Sequence, residues 1–229
     1  MIRNLVLHTA HGSLHGQLDR PDNPRGLILV ARAHRLPEDA MLASSLEALN
    51  FAVLSMDLLT VQELQFVDAT QNVPRLMQRL LDVLDLIRND GDMQTLPLGI
   101  CANGDTAPAA IRCAAQRDTQ VKALLCHGGL IDRAGVQSLE LLVAPLLMLF
   151  EPDDMLAVQA YLRAMAHLGC PHEKQHLAPG DSPIPCIAEW FARYLNNCPR
   201  RVTRAETSRP IMPSVIYVAF IPLLIIRGS

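Results

Sequence analysis

The chain has 229 residues, half of them apolar, with 20 Lys and Arg against 23 Asp and Glu for a formal charge of -3. That length suits one α/β domain with a sizeable core, and the composition excludes a disordered chain. The slight acidity removes the basic excess that a nucleic-acid binder would need.

In chain order, two alternating runs at 2–8 and 14–19 flank Ala10-His11-Gly12-Ser13 and predict an antiparallel hairpin. After the turn cluster Pro21-Asp22-Asn23-Pro24-Arg25-Gly26, the apolar run 27–31 predicts a strand covered on both faces. Helical and strand patterns then alternate: helix 38–49, strand 51–56, helix 74–89, strand 96–101 and helix 106–116. They continue with strand 121–126, a helical segment 133–142, strand 145–150, helix 156–168, strand 174–178 and helix 184–196. Such alternation demands an α/β fold: about eight strands in a mostly parallel sheet, right-handed crossovers and helices on both faces.

The six cysteines, Cys101, Cys113, Cys126, Cys170, Cys186 and Cys198, include no C-x-x-C pair. Neither a disulfide framework nor a zinc site is expected, and a reducing cytoplasm fits. The opening Met1-Ile2-Arg3-Asn4-Leu5 lacks the apolar core of a signal peptide, so a cytoplasmic location is expected.

The stretch around Ala102-Asn103-Gly104-Asp105-Thr106 joins an apolar run to an alanine-rich segment, the pattern of a strand, a tight bend and a helix. G-x-S-x-G nucleophile turns occupy that place in hydrolases. Other markers are Gly16-Gln17-Leu18, the run from Phe51 to Thr60, His127-Gly128-Gly129-Leu130-Ile131-Asp132, Ala144 to Phe150 before an Asp pair, and Trp190-Phe191-Ala192-Arg193-Tyr194-Leu195. In this order they resemble the dienelactone-hydrolase-related branch of the α/β-hydrolases, short enzymes of small esters and lactones. The resemblance spans nearly all of residues 2–197.

The resemblance implies a nucleophile, a His base and an acid that orients it. It places the nucleophile at Gly104, which has no side chain, the base at Pro183, which has no basic nitrogen, and the acid at Asp154. Asp154 reads equally well as a helix N-cap. The oxyanion donors would be the N–H of Asp105 and a loop in which Arg32-Ala33 replaces His-Gly. Four departures together predict a pseudoenzyme that acts as a binding or partner subunit. The alternative is an active hydrolase of small esters or lactones using Asp105 as carboxylate nucleophile with Asp154. A histidine, serine or cysteine brought together with Asp154 at the mouth of the sheet would overturn the inactive reading.

Cys101 is expected in the core, and neither His172 nor His176 is expected at the mouth. His8, His11 and His15 read as exposed hairpin residues rather than metal ligands, and no cofactor is implied. Arg32, His34 and Arg35 should lie at the carboxyl ends of the strands, where open α/β sheets bind ligands. Either Arg32 pairs with Asp105 or Asp154, or holds a small anionic ligand, in a vestigial pocket, or all three are surface charges.

Residues 198–229 read as a basic linker followed by the apolar run 211–226, which is interrupted by Pro213 and Pro222. Membrane helices need about 20 apolar residues, so spanning is not expected. Association with a membrane surface or partner is the alternative to a poorly ordered appendage.

Overall fold

A computed structural model of the protein describes residues 1–10, 12–33, 37–66 and 68–195, with the backbone alone at 37 and 38. The expectations for His11, His34, Arg35 and 198–229 lie outside the described residues.

Strands β1 (Ile2–Thr9) and β2 (Gly12–Asp19) form the hairpin. They are followed by β3 (Leu27–Arg32), α1 (Pro37–Ala48), β4 (Ala52–Asp57), α2 (Val73–Asn89), β5 (Leu98–Asn103) and α3 (Ala107–Gln116). The chain continues through β6 (Val121–His127), α4 (Val136–Leu141), β7 (Leu146–Phe150), α5 (Met155–Ala164), β8 (His172–His176) and α6 (Ile184–Tyr194). One sheet results, in the order β1-β2-β4-β3-β5-β6-β7-β8, with β1, β2 and β4 antiparallel neighbours and all later pairs parallel.

Several elements differ from the sequence pattern. The strand expected at 96–101 runs two residues further, to Asn103, and the one expected at 174–178 starts two residues earlier, at His172. The helical segment expected at 133–142 breaks at Gly135 into a 3₁₀ turn, Ile131–Ala134, and the short α4. The first two shifts matter most, because the site is built from what sits at the strand ends.

Side chains alternate across a strand, so the sheet has two cores. Leu29, Ile100, Leu124 and Met148 pack beneath α2, α3, α4 and α5. Val30, Cys101, Leu125 and Leu147 pack beneath α1 and α6. On the second face Trp190, 2% exposed, donates its indole N–H to the Leu124 carbonyl oxygen at 3.1 Å. That bond ties α6 to β6.

The connection from β4 to α2 is held by one ion-pair network. Arg79 is 2% exposed and reaches both oxygens of Glu63, Nη1 to Oε2 at 2.6 Å and Nη2 to Oε1 at 2.7 Å. Thr60 donates both its N–H and its hydroxyl to Glu63 Oε2, and Arg79 also donates to the Leu58 carbonyl. Burial favours the neutral acid, but the Arg79 and Thr60 hydrogen bonds outweigh it and hold Glu63 down to about 2.

Candidate functional site

The site lies at the carboxyl ends of the strands, on the α1 and α6 face. Register explains its membership: Val30 pairs with Cys101, Asn103 with His127, and His127 with Leu149. Residues two apart share a face, so Arg32 follows Val30, Asn103 follows Cys101, and Glu151 follows Leu149 into the same space. A cavity of about 570 Å³ opens there.

The turn after β5 has room for a side chain at its first residue. Gly104 has φ +53, and a Cβ built on it meets nothing within 4 Å. The turn is braced by a reciprocal pair in which the Asn103 side chain accepts from the Thr106 N–H and Thr106 Oγ1 accepts from the Asn103 N–H at 3.0 Å. The fully buried Thr106 hydroxyl also lies 2.9 Å from the carbonyl oxygens of Ala31 and Asn103. It thereby fastens the turn to the end of β3.

Gly128 and Gly129, both in the left-handed region, bring three segments together. A Cβ at Gly129 would stand 2.2 Å from the Gly104 carbonyl oxygen, and one at Gly128 would stand 2.8 Å from Asp154 Oδ2. Only glycine permits both the backbone angles and these approaches.

Asp154 lines the cavity and also caps α5, its Oδ1 accepting from the Ala157 N–H at 3.1 Å. The capping reading therefore holds, and the same residue borders the cavity. Pro183 lines the cavity at the expected base position, beside Ser182. No imidazole comes from that loop.

One does come from β6. His127, absent from the sequence-derived site, lines the cavity with Asp154. Its Nε2 lies 2.8 Å from Glu151 Oε1 and its Nδ1 lies 3.4 Å from Asn103 Nδ2. The pattern assigns the proton to Nε2, donated to Glu151, with Nδ1 facing the Asn103 amide. Parity from the Gly104 turn and the strand register were the signals that could have found it.

Cys101 and Ser182 also border this space, so a histidine, a thiol and a hydroxyl share the cavity with Asp154, and none of them bonds to its carboxylate among the described residues. Burial pushes the Cys101 thiol up to about 12, which leaves no thiolate near neutral pH. Ser182 Oγ faces the Ile184 N–H at 3.3 Å. No hydrogen bond joins Asp154 to His127 among the described residues, so the three do not form a relay.

Two expected roles are corrected. Arg32 lines the cavity, but its guanidinium pairs with Asp39 of α1, whose side chain is 4% exposed, and not with Asp105 or Asp154. Asp105 does not line the cavity; it is exposed and its Oδ2 accepts from Thr70 Oγ1 at 2.7 Å. Rotation into the 3₁₀ turn carries the Asp105 side chain away from the mouth, which removes the carboxylate-nucleophile arrangement. His172 and His176 align with Leu146 and Phe150, on the opposite face of the sheet, where the His176 ring meets Phe150 at 5.1 Å between centroids.

Comparison with solved structures gives a TM-score of 0.75 to a dienelactone hydrolase from Anabaena variabilis, covering 86% of this chain and 99% of that one at 23% identity. The chain has the α/β-hydrolase fold. An acetyl xylan esterase from Paenibacillus shares this α/β-hydrolase fold with a TM-score of 0.64 and 13% identity, covering 85% of this chain and 84% of that one. Gly104, Asp154 and Pro183 all line the cavity. No family model matches. Two Mycobacterium tuberculosis proteins, from different strains and each provisionally named a phosphoribosyl transferase, are 31% identical over 155 residues, which is 66% of this chain. The chain spans 35% of the length of these curated relatives. Among the described residues no helix is long and apolar enough to cross a membrane.

Proposed function

We propose that this chain uses the cleft of the α/β-hydrolase fold to bind a small molecule, or to serve a partner, without acyl transfer. The observation that carries the reading is Gly104: a turn built to aim an attacking side chain keeps its positive φ and offers only hydrogen. Pro183 opposite supplies no base, and the imidazole in the cavity has both nitrogens engaged. Removal of triad members from a hydrolase leaves roughly 10³–10⁴-fold acceleration from binding and the oxyanion hole, so the expectation is feeble turnover at most.

Labelling with a fluorophosphonate and turnover of p-nitrophenyl acetate test this. Both are expected to match a heat-denatured control. Robust turnover would overturn the reading.

A second reading, hydrolysis of small esters or lactones by an unconventional set, draws on His127 and Asp154 sharing the cavity. Under it His127 would take a proton from water, and His127→Ala would abolish turnover while Asp105→Asn would not.

The relatives' name suggests phosphoribosyl chemistry. A pyrophosphate donor calls for guanidinium or backbone N–H donors. Arg32 is committed to Asp39 and the neighbouring charges are Glu151 and Asp154, which favours the binding reading. That a similar stretch forms part of longer chains supports a role beside a partner.

A further inference from the structure

We infer that the occupant of this cavity is a small amine, an apolar body carrying an ammonium group, rather than an ester or an anion; the inference rests on the binding reading above. The lining is of two chemical kinds. Val30, Leu42, Cys101, Ile184 and Ile187 make up much of its apolar part, and ligand cavities of this size ordinarily bury an apolar body against such a surface. The rest is polar, and its polar atoms are unequal in kind.

Among the described residues the cationic donor of the lining is the Arg32 guanidinium, which is already matched to the buried carboxylate of Asp39. The Nε2–H of His127 is committed to Glu151 Oε1. Acceptors remain. Glu151 Oε1 takes the imidazole N–H while Oε2 has no described partner, and Asp154 Oδ1 takes the Ala157 N–H while Oδ2 stands over Gly128. Two carboxylates with an oxygen to spare therefore border an apolar cavity. An arriving carboxylate or phosphate meets like charge there, whereas an ammonium supplies the donors these oxygens lack.

The test titrates the full chain with 4-phenylbutylammonium, 4-phenylbutanoate and 4-phenylbutanol, following the His127 and Ile187 resonances by NMR. The amine is expected to bind at least about tenfold more tightly than the carboxylate, a difference of one decade in Kd. The variant Glu151→Gln with Asp154→Asn removes both charges; Asn still caps α5 and the Gln carbonyl still accepts the His127 N–H. It is expected to erase the amine preference, and Glu151→Gln alone, at an exposed position, to reduce it. Equal or tighter binding of the carboxylate, or an amine preference untouched by the double variant, overturns the ligand class and leaves the binding role standing. If none of the three compounds moves the cavity resonances, the ligand class and the small-molecule binding role both fall.

Discussion

The α-carbon of Gly129 packs so closely on the Gly104 carbonyl oxygen that a Cβ would stand 2.2 Å from it. The loop after β6 is thus fitted to the turn after β5, backbone on backbone, and neither can move without the other. Gly129→Ala must displace the turn and adopt φ +93, a left-handed angle costing roughly 1–2 kcal/mol before any clash. A loss of about 3 kcal/mol or more in urea unfolding is expected, against less than about 1 kcal/mol for Gly91→Ala, where a Cβ meets nothing within 4 Å.

Thr106→Val keeps the shape of the fully buried side chain but removes the hydroxyl shared by Ala31, Asn103 and the Asn103 N–H. Leaving a buried backbone donor unsatisfied costs about 1–3 kcal/mol. Thermal unfolding should fall accordingly, and amide exchange at Asn103 should accelerate more than at Leu98.

Gly104→Ser finds open space for its Cβ and a backbone already turned for it. The left-handed angle costs on the order of 1 kcal/mol, so the variant should fold. On its own it is expected to stay unlabelled by fluorophosphonate. Combined with Pro183→His it should acquire labelling above the parent, detectable by intact mass.

These substitutions also mark what the residues alone disclose. The order of strands and helices was legible because apolar periodicity is set locally, and Gly104, Asp154 and Pro183, picked out through the family resemblance, all line the cavity. His127 and Asp39 were not legible. His127 enters through the register of three parallel strands, and Asp39 captures Arg32 because α1 starts beside the carboxyl end of β3. Charge pairing between the two elements depends on how the chain turns from strand to helix, which no local pattern records. Asp105 misled for a related reason: its neighbour Gly104 turns the chain, so adjacent residues point apart.

Glu63 contributes to the acid sensitivity of the fold. Its carboxyl sits at about 2 in the folded chain against an ordinary 4.5, so the folded state binds this proton less readily than the unfolded one. The stabilisation is complete above about pH 4.5, shrinks as pH falls, and is gone once pH passes below about 2; it amounts to about 2 kcal/mol after solvent screening. Glu63→Gln strands the buried Arg79 charge, so a loss of about 3 kcal/mol at pH 7 is expected. Its urea midpoint should change less between pH 4.5 and pH 2.5 than that of the parent.

Trp190 is the chain's single tryptophan, and the bond from its indole to the Leu124 carbonyl turns it into a built-in optical gauge. Ile187, one helical turn earlier on α6, forms part of the cavity wall, so a guest that presses on that wall tilts the fluorophore's surroundings. Emission colour and intensity then report occupancy directly, with no dye attached and no second tryptophan to dilute the signal.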